Sequence, residues 1–183
     1  MSTDAATLIE RANQARREHR LADAHRDFVE AVALSRQKGK QVDLLQALKG
    51  LGQIERDLGR ADAARPLYEE AVAICRRRDD PLSLAHTIRH LADIHRDTGR
   101  PDLAEPCYDE ALALYRSSER TPPLDLANAI RPFAILKEGA GDIEEARRLW
   151  KEARDLYAAV KVEEGVRECS ARLERLGLGR HSS

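Results

Sequence analysis

The feature that most constrains the fold of this chain is a three-residue frame that occurs four times. In each copy an alanine is followed four positions later by an aromatic residue and three positions after that by a second alanine. The aromatic residues are Phe28, Tyr68, Tyr108 and Trp150, so successive copies are 40, 40 and 42 residues apart. Residues spaced by four and then by three lie on one face of a helix. The frame therefore predicts four equivalent helices, in which small residues let a neighbouring helix approach and a large ring fills the remaining space.

Glycines mark the ends of the helices that precede the last three frames. Gly59, Gly99 and Gly141 each stand five residues before the first alanine of a frame. Glycine adopts the left-handed conformation that ends a helix at little cost. His19 stands at the same place in the first unit, which predicts a different first turn. Asp142 is a suitable N-cap for the eighth helix.

The segments before these glycines are also helix-periodic, so each unit is predicted to be a helix, a tight turn and a second helix. A ninth helix over 162–176 forms a half repeat, and its charged residues, Glu168 and Arg172 among them, are predicted to face solvent. The chain is thus predicted to form one domain over residues 1–176, followed by a disordered tail over 177–183. The predicted repeats are about 5–38, 41–80, 82–120 and 124–160.

The repeated positions resemble the tetratricopeptide repeat, whose second helix carries the alanine, aromatic, alanine frame. The resemblance covers roughly residues 5–160. It implies an all-α fold, a right-handed superhelical solenoid of antiparallel helix pairs, with four repeats and a C-terminal capping helix. The period exceeds the common one of about 34 residues and is similar to that of kinesin light chain repeats. The usual first-position tryptophan is replaced by Leu8, Leu48, Ile88 and Ile130.

The resemblance also implies where a partner binds. Tetratricopeptide stacks place their first helices along a concave groove, and the residues of those helices that do not enter the core face it. Basic side chains outnumber acidic ones on this face, so the groove is predicted to be locally basic and to bind an acidic peptide or protein segment. The predicted binding residues are Asn13, Arg16, Lys49, Gln53, Arg56, His86, Arg89, Asp93, Arg96, Asn128 and Arg131.

Two narrower interpretations of this face remain open. Some relatives clamp a peptide carboxylate with a fixed set of lysine, asparagine and arginine residues. This chain holds only a fragment of that set, since Lys49 and Gln53 approximate the first pair and Asn128 a later member. Pro132 stands where the clamp needs a cation. The alternative is an ordinary solvated helix face whose charges pair with one another.

Composition narrows the class of partner. Charged residues make up 34% of the chain, yet the two signs nearly cancel to a formal net charge of −1. Such a balance gives no general attraction to nucleic acid or to an acidic membrane. No stretch approaches the roughly 20 apolar residues of a spanning helix, and three widely spaced cysteines are typical of a reducing compartment. The sequence predicts a cytoplasmic protein whose partner is a protein or peptide, with no nucleic acid and no membrane.

The chain shows no catalytic constellation. Cys75, Cys107 and Cys169 occupy repeat positions that elsewhere hold ordinary packing residues, so they are predicted to be buried or half-buried. His86 and His90 lie four apart on one helix, a spacing that suits two metal ligands, but no third ligand is evident. The alternative is that His86 lines the groove and His90 its margin, with a weak pH sensitivity.

The sequence favours a non-catalytic interaction scaffold that needs no cofactor. Two alternatives stay open. The first is a peptide-sensing regulatory module, although sensors of this resemblance usually carry an output domain. The second is a self-associating structural protein that forms a homo-oligomer, which a sizing measurement would reveal.

Overall fold

The computed structural model describes residues 4–178, and within that range the chain forms nine α-helices and no strand. The prediction of an all-helical stack of repeats is confirmed. None of the nine helices has the length and apolar character that crossing a membrane requires. The helices are α1 (Ala5–Arg17), α2 (Leu21–Gln37), α3 (Gln41–Asp57), α4 (Ala61–Arg77), α5 (Pro81–Asp97), α6 (Pro101–Arg116), α7 (Pro123–Gly139), α8 (Ile143–Ala159) and α9 (Glu163–Leu178).

The repeated frame packs each second helix against its neighbours. All four aromatic rings of the frame, and all eight of its alanines, are fully or almost fully buried. The rings press directly on a helix backbone: a Cβ atom at Gly50 would lie 2.3 Å from the ring of Phe28, and one at Gly52 would lie 2.7 Å from the ring of Tyr68. Because a real side chain cannot occupy such space, these two glycines let α3 approach the rings closely.

Seven of the eight turns between the described helices contain a residue with a positive φ, and the connection between α6 and α7, residues 117–122, does not. Gly59 has a φ of 74°, and His19 has a φ of 58° at the equivalent position. The expectation that the first turn differs is therefore wrong, since His19 adopts the left-handed conformation in spite of its Cβ atom. Asp79 and Lys161 do the same in the turns before α5 and α9. Each such residue costs about 1 kcal/mol relative to glycine, which the packing of the flanking helices offsets.

The last helix closes the stack with charged residues that are not free in solvent. Arg131 of α7 donates two hydrogen bonds to Glu168, at 2.6 and 2.9 Å. Arg172 lies over the ring of Trp150 and donates to Glu138 at 3.2 Å. Arg167, Glu174 and Arg175 are exposed, as predicted for the charged residues of this helix, whereas Glu168 and Arg172 are half-buried and find partners on the helices beneath α9.

The C-terminal end of α9 extends further than the sequence predicts. The last helix continues through Gly177 to Leu178, into the segment predicted to be a disordered tail. The remainder of that segment, residues 179–183, lies outside the described residues.

Exposed ion pairs link successive second helices in register. In each pair an arginine in the last turn of one second helix bonds a glutamate of the next second helix. Such exposed pairs contribute well under about 1 kcal/mol each, so they fix the register of the repeats more than they stabilise the stack. The pairs are Arg36 with Glu70, Arg76 with Glu110, and Arg116 with Glu152.

Candidate binding groove

The first helices α1, α3 and α5 line an open groove with a volume of about 590 Å³. Val42, Leu45, Lys49 and Gln53 of α3 follow one another along its wall. Their spacing of three or four residues places them on one face of the helix. This face is the one that helical periodicity assigns to the groove.

Five of the predicted binding residues line this groove together. They come from all three helices, so the groove is a property of the stack and not of a single repeat. The five are Asn13, Arg16, Lys49, Gln53 and His86.

One end of the groove is apolar. Ile9 and Leu45 form part of its wall, and Val42 stands at its edge with 49% of its surface exposed. Val42 and Leu45 are not among the residues that the sequence predicts for the groove. The signal that identifies Val42 is its position seven residues before Lys49, which is two helical turns along the same face.

Lys49 is the distinctive cation of the groove. Its side chain is half-buried, and no carboxylate among the described residues forms an ion pair with its ammonium group. Burial lowers the pKa of Lys49; the Asp80 carboxylate, which lines the same groove without forming an ion pair, partly offsets this, and the Arg89 guanidinium adds a smaller lowering. The charged form of Lys49 is therefore less stabilised by its surroundings than an exposed ammonium group is by water.

Two histidines of α5 stand beside Lys49. The rings of His86 and His90 meet edge to face, with centroids 4.7 Å apart, and both line the groove. Burial, together with the charges of Lys49 and Arg89, lowers the pKa of His86 to about 3. The imidazole of His86 is consequently neutral at neutral pH, and the structure places His90 in the groove wall, where the sequence predicted a position at the margin.

His90 is enclosed by two guanidinium groups. Arg89 Nη2 lies 2.7 Å from Nε2 of the ring, and Arg56 Nη1 lies 3.0 Å from Nδ1. Burial lowers the pKa of His90 well below its ordinary value, and the neighbouring cations add to the shift. A neutral imidazole has one acceptor nitrogen and one N–H group, so only one of these two contacts is a hydrogen bond. This part of the site has more donors than acceptors.

Three other predicted cations are already paired within the protein. Arg56 lies 3.5 Å from a carboxylate oxygen of Asp97, and Arg89 donates to Asp93 at 3.3 Å. Arg96 donates to Asp97 at 2.7 Å. The predicted binding residue Asp93 is thus an internal acceptor, and these arginines have less capacity for an external anion than Lys49 has.

The two predicted binding residues of α7 form hydrogen bonds with helices at the C-terminal end of the stack. Asn128 accepts a hydrogen bond from the Tyr157 hydroxyl at 2.8 Å, and Arg131 is bonded to Glu168. Neither residue lines the groove formed by α1, α3 and α5. The structure therefore brings the N-terminal part of the predicted set together and separates the α7 part from it.

The described residues contain no group of three or more His, Cys, Asp or Glu side chains arranged to hold a metal ion. Cys75 and Cys169 are buried and Cys107 is half-buried. Burial raises the pKa of Cys169 to about 11, so this thiol is protonated at neutral pH. The cysteines occupy packing positions, as the repeat comparison predicts.

The architecture defines a helical-repeat protein, and sequence comparison identifies the repeat. The sequence model of the tetratricopeptide repeat matches residues 3–77 and 83–159. The chain therefore belongs to the tetratricopeptide repeat family. A search among curated protein sequences finds no matching relative.

Solved structures share the fold at low sequence identity. BtubC (BKLC) from P. vanneervenii is 18% identical, with a TM-score of 0.71 over 98% of this chain and 83% of that one. A Podosopora anserina putative kinesin light chain with nearly identical repeats is 15% identical, with a TM-score of 0.72 over the full length of both chains. The TPR domain of Arabidopsis FLU is 18% identical, with a TM-score of 0.59 over 62% of this chain and 96% of that domain. At these identities the likeness establishes the fold alone.

Proposed function

We propose that this protein is a non-catalytic scaffold that binds an extended, acidic segment of a partner protein in the groove between α1, α3 and α5. Tetratricopeptide repeat proteins are generally protein-interaction scaffolds. The observation that carries the proposal is Lys49, a half-buried cation that faces an open groove and has no carboxylate partner among the described residues. A carboxylate of the partner supplies the missing acceptor, and charge-assisted hydrogen bonds of this kind are the strong ones.

The groove also sets the spacing of the ligand. Seven residues of helix separate Val42 from Lys49, which corresponds to about 10 Å along α3. An extended peptide advances about 3.3 Å per residue. A segment that fits both ends of the groove therefore carries an apolar side chain and an acidic side chain about three residues apart.

The proposed function involves no chemical step and no cofactor. The apolar end of the groove and the unpaired Lys49 suit recognition of a peptide. The peptide gains apolar contact area at that end and an ion pair at Lys49. We extend the proposal to one domain over residues 1–176 that acts in the cytoplasm.

A direct test uses a fluorescent peptide of about twelve residues with Leu and Asp three residues apart, and measures its affinity by fluorescence polarisation. A second peptide carries Asn in place of Asp. We expect the Asp peptide to bind at least tenfold more tightly than the Asn peptide, because a hydrogen bond to a charged group contributes about 1.5–3 kcal/mol. Equal affinities would remove the proposed role of the cation.

Matched variants locate the site. Lys49→Met keeps the length of the side chain and removes its charge, so binding of the Asp peptide should weaken about tenfold. Lys151→Met removes a lysine from the exposed surface of α8 and should leave binding unchanged. Equal losses in the two variants would indicate a general charge effect and contradict a site at Lys49.

A second pair of variants tests the apolar end. Val42 and Val29 are similarly exposed, at 49% and 45%, but only Val42 lines the groove. Val42→Ser should weaken the peptide several-fold because it removes apolar contact area of the kind that contributes about 25 cal/mol per Å². Val29→Ser is the control, and it should bind the peptide as the wild type does.

A further inference from the structure

The groove contains neutral histidines as well as an unpaired lysine, and this combination predicts that ligand binding depends on pH. We propose that binding of an acidic ligand in the groove takes up a proton at His86, so that the protein binds its partner more tightly as the pH falls. The inference rests on the proposed function and specifies how the same site is regulated.

Among the described residues that line the groove around His86, the charged groups are cations with one carboxylate, that of Asp80. These titratable groups come from α1, α3, α4, the turn between α4 and α5, and α5 itself. In the free protein most of these charges repel a proton on the ring. The titratable and charged groups are Arg16, Lys49, Tyr68, Arg78, Asp80, Arg89 and His90.

A ligand carboxylate reverses that balance. Both side chains line the same groove, and the charge of Lys49 already lowers the pKa of His86, so a carboxylate that pairs with Lys49 acts on His86 as well. An opposite charge within about 4–6 Å favours the charged form and moves a pKa by about 1–3 units. The pKa of His86, about 3 in the free protein, therefore rises to about 4–6 in the complex.

The sign of the pH dependence follows from the number of protons in each state. Between the two pKa values the complex carries a proton on His86 that the free protein lacks. Binding is then linked to proton uptake, and the affinity increases as the pH decreases. With a rise of about 2 units, the middle of that range, the affinity at pH 5 is roughly twofold higher than at pH 7.5.

His86 is the proton acceptor in this account, and His90 is not. Both ring nitrogens of His90 face guanidinium groups, those of Arg56 and Arg89. A second proton on His90 would place an N–H group against each of these donors. The ring of His86 has no hydrogen bond to another side chain among the described residues and contacts His90 only through an edge-to-face packing.

Isothermal titration calorimetry tests the inference with a peptide whose acidic residue is cysteic acid, because a sulfonate stays ionised throughout the pH range. Titrations at pH 5 and pH 7.5, each in two buffers of different ionisation enthalpy, give both the affinity and the number of protons exchanged. We expect tighter binding at pH 5, by about twofold, and uptake of about half a proton at pH 5 but none at pH 7.5. Equal affinity with no proton exchange would overturn the inference.

Two variants assign the proton. His86→Gln should lose the pH dependence and the proton uptake, so that its affinity, whatever its value at pH 7.5, is the same at pH 5. His95→Gln, which replaces a histidine of the same helix that does not line the groove, should retain it. A pH dependence that survives in His86→Gln would contradict the assignment to His86. Absence of binding at every pH in the wild type would instead contradict the proposed function itself.

Discussion

Lys49 and Arg131 occupy the same position in the first helices of two repeats, yet their surroundings differ. Arg131 donates two hydrogen bonds to Glu168 of the next first helix. At the place of Glu168, the helix that follows Lys49 carries His90, a neutral ring between two arginines. For these two cations, the residue contributed by the following repeat decides whether the charge is paired across repeats; Arg89, the equivalent residue of α5, is paired with Asp93 of its own helix instead.

The same contrast extends to the two halves of the stack. In the C-terminal half Glu138 accepts from Trp150 Nε1 at 3.2 Å and from Arg172 at 3.2 Å, and Asn128 accepts from Tyr157. The N-terminal half has an open groove in which the Lys49 ammonium group forms no ion pair with a carboxylate of the described residues. We therefore interpret the N-terminal half as the binding region and the C-terminal half as the closed end of the stack.

The largest expected effects should be equal in the two halves, because the buried frame is the same in both. Ala71→Arg and Ala153→Arg each place a charge at a fully buried position and should each lower the free energy of unfolding by about 3 kcal/mol or more. Thermal unfolding followed by circular dichroism measures the change. Ala113→Arg, at an exposed position of α6, is the control and should be nearly neutral. A wild-type melting curve for either buried variant would refute the assigned repeat register.

Removal of a carboxylate should lower the free energy of unfolding more in the C-terminal half than in the N-terminal half. Glu138→Ala leaves Trp150 Nε1 without its acceptor and should cost about 2 kcal/mol, because an unsatisfied buried donor costs about 1–3 kcal/mol. Asp57→Ala removes an exposed partner of Arg16, 3.0 Å away, and should cost less than about 1 kcal/mol. Urea unfolding with hydrogen exchange over α8 and α9 gives both values. If Glu138→Ala and Asp57→Ala lowered the free energy of unfolding by similar amounts, the proposed difference between the two halves would be contradicted.

Acid should destabilise the open half in particular. The unfolded chain protonates His86 near pH 6.5, whereas the pKa in the folded protein is about 3. The unfolded state then binds more protons, so stability is complete above about pH 6.5 and is lost as the pH falls towards 3. Between pH 7 and pH 5 the loss from this residue is on the order of 2 kcal/mol. Urea unfolding at the two pH values should show a smaller loss in His86→Gln, and an identical loss would count against a neutral His86.

The smallest effects should differ in sign between the two equivalent cations. Arg131→Met removes a partly exposed ion pair and should cost about 0.5 kcal/mol. Lys49→Met replaces a half-buried charge that has no carboxylate partner and should be neutral or slightly stabilising. Urea unfolding of both variants under the same conditions measures the difference, and a clear destabilisation by Lys49→Met would mean that its charge is compensated in the folded protein.

The fold is predictable from the sequence because the same packing positions recur in each repeat. The frame around Tyr68 is repeated around Tyr108, and four copies in phase leave little freedom for another architecture. The positive φ of His19 does not follow from the repeated pattern. A histidine gives no local signal for a positive φ, and the packing of α1 and α2 imposes it.

The site is predictable only in part. Helical periodicity places Lys49, Gln53 and His86 on the groove face. It does not reveal which charges neutralise one another, because the partners of Arg131 and Arg172 lie 34 to 37 residues away along the chain. Pairing across repeats depends on the stacking geometry, and that geometry is absent from the pattern within one helix.

The measurement that most directly tests the central claim is the affinity of the Asp peptide for His90→Glu. This change puts a carboxylate beside Lys49 at the position that Glu168 holds beside Arg131. His90→Gln serves as the control for loss of the ring. The account predicts at least a tenfold loss of affinity in His90→Glu, with the fold retained, because the internal carboxylate takes the place of the ligand's. An affinity equal to that of the wild type, in a folded variant, would contradict the claim that an unpaired Lys49 recognises the partner.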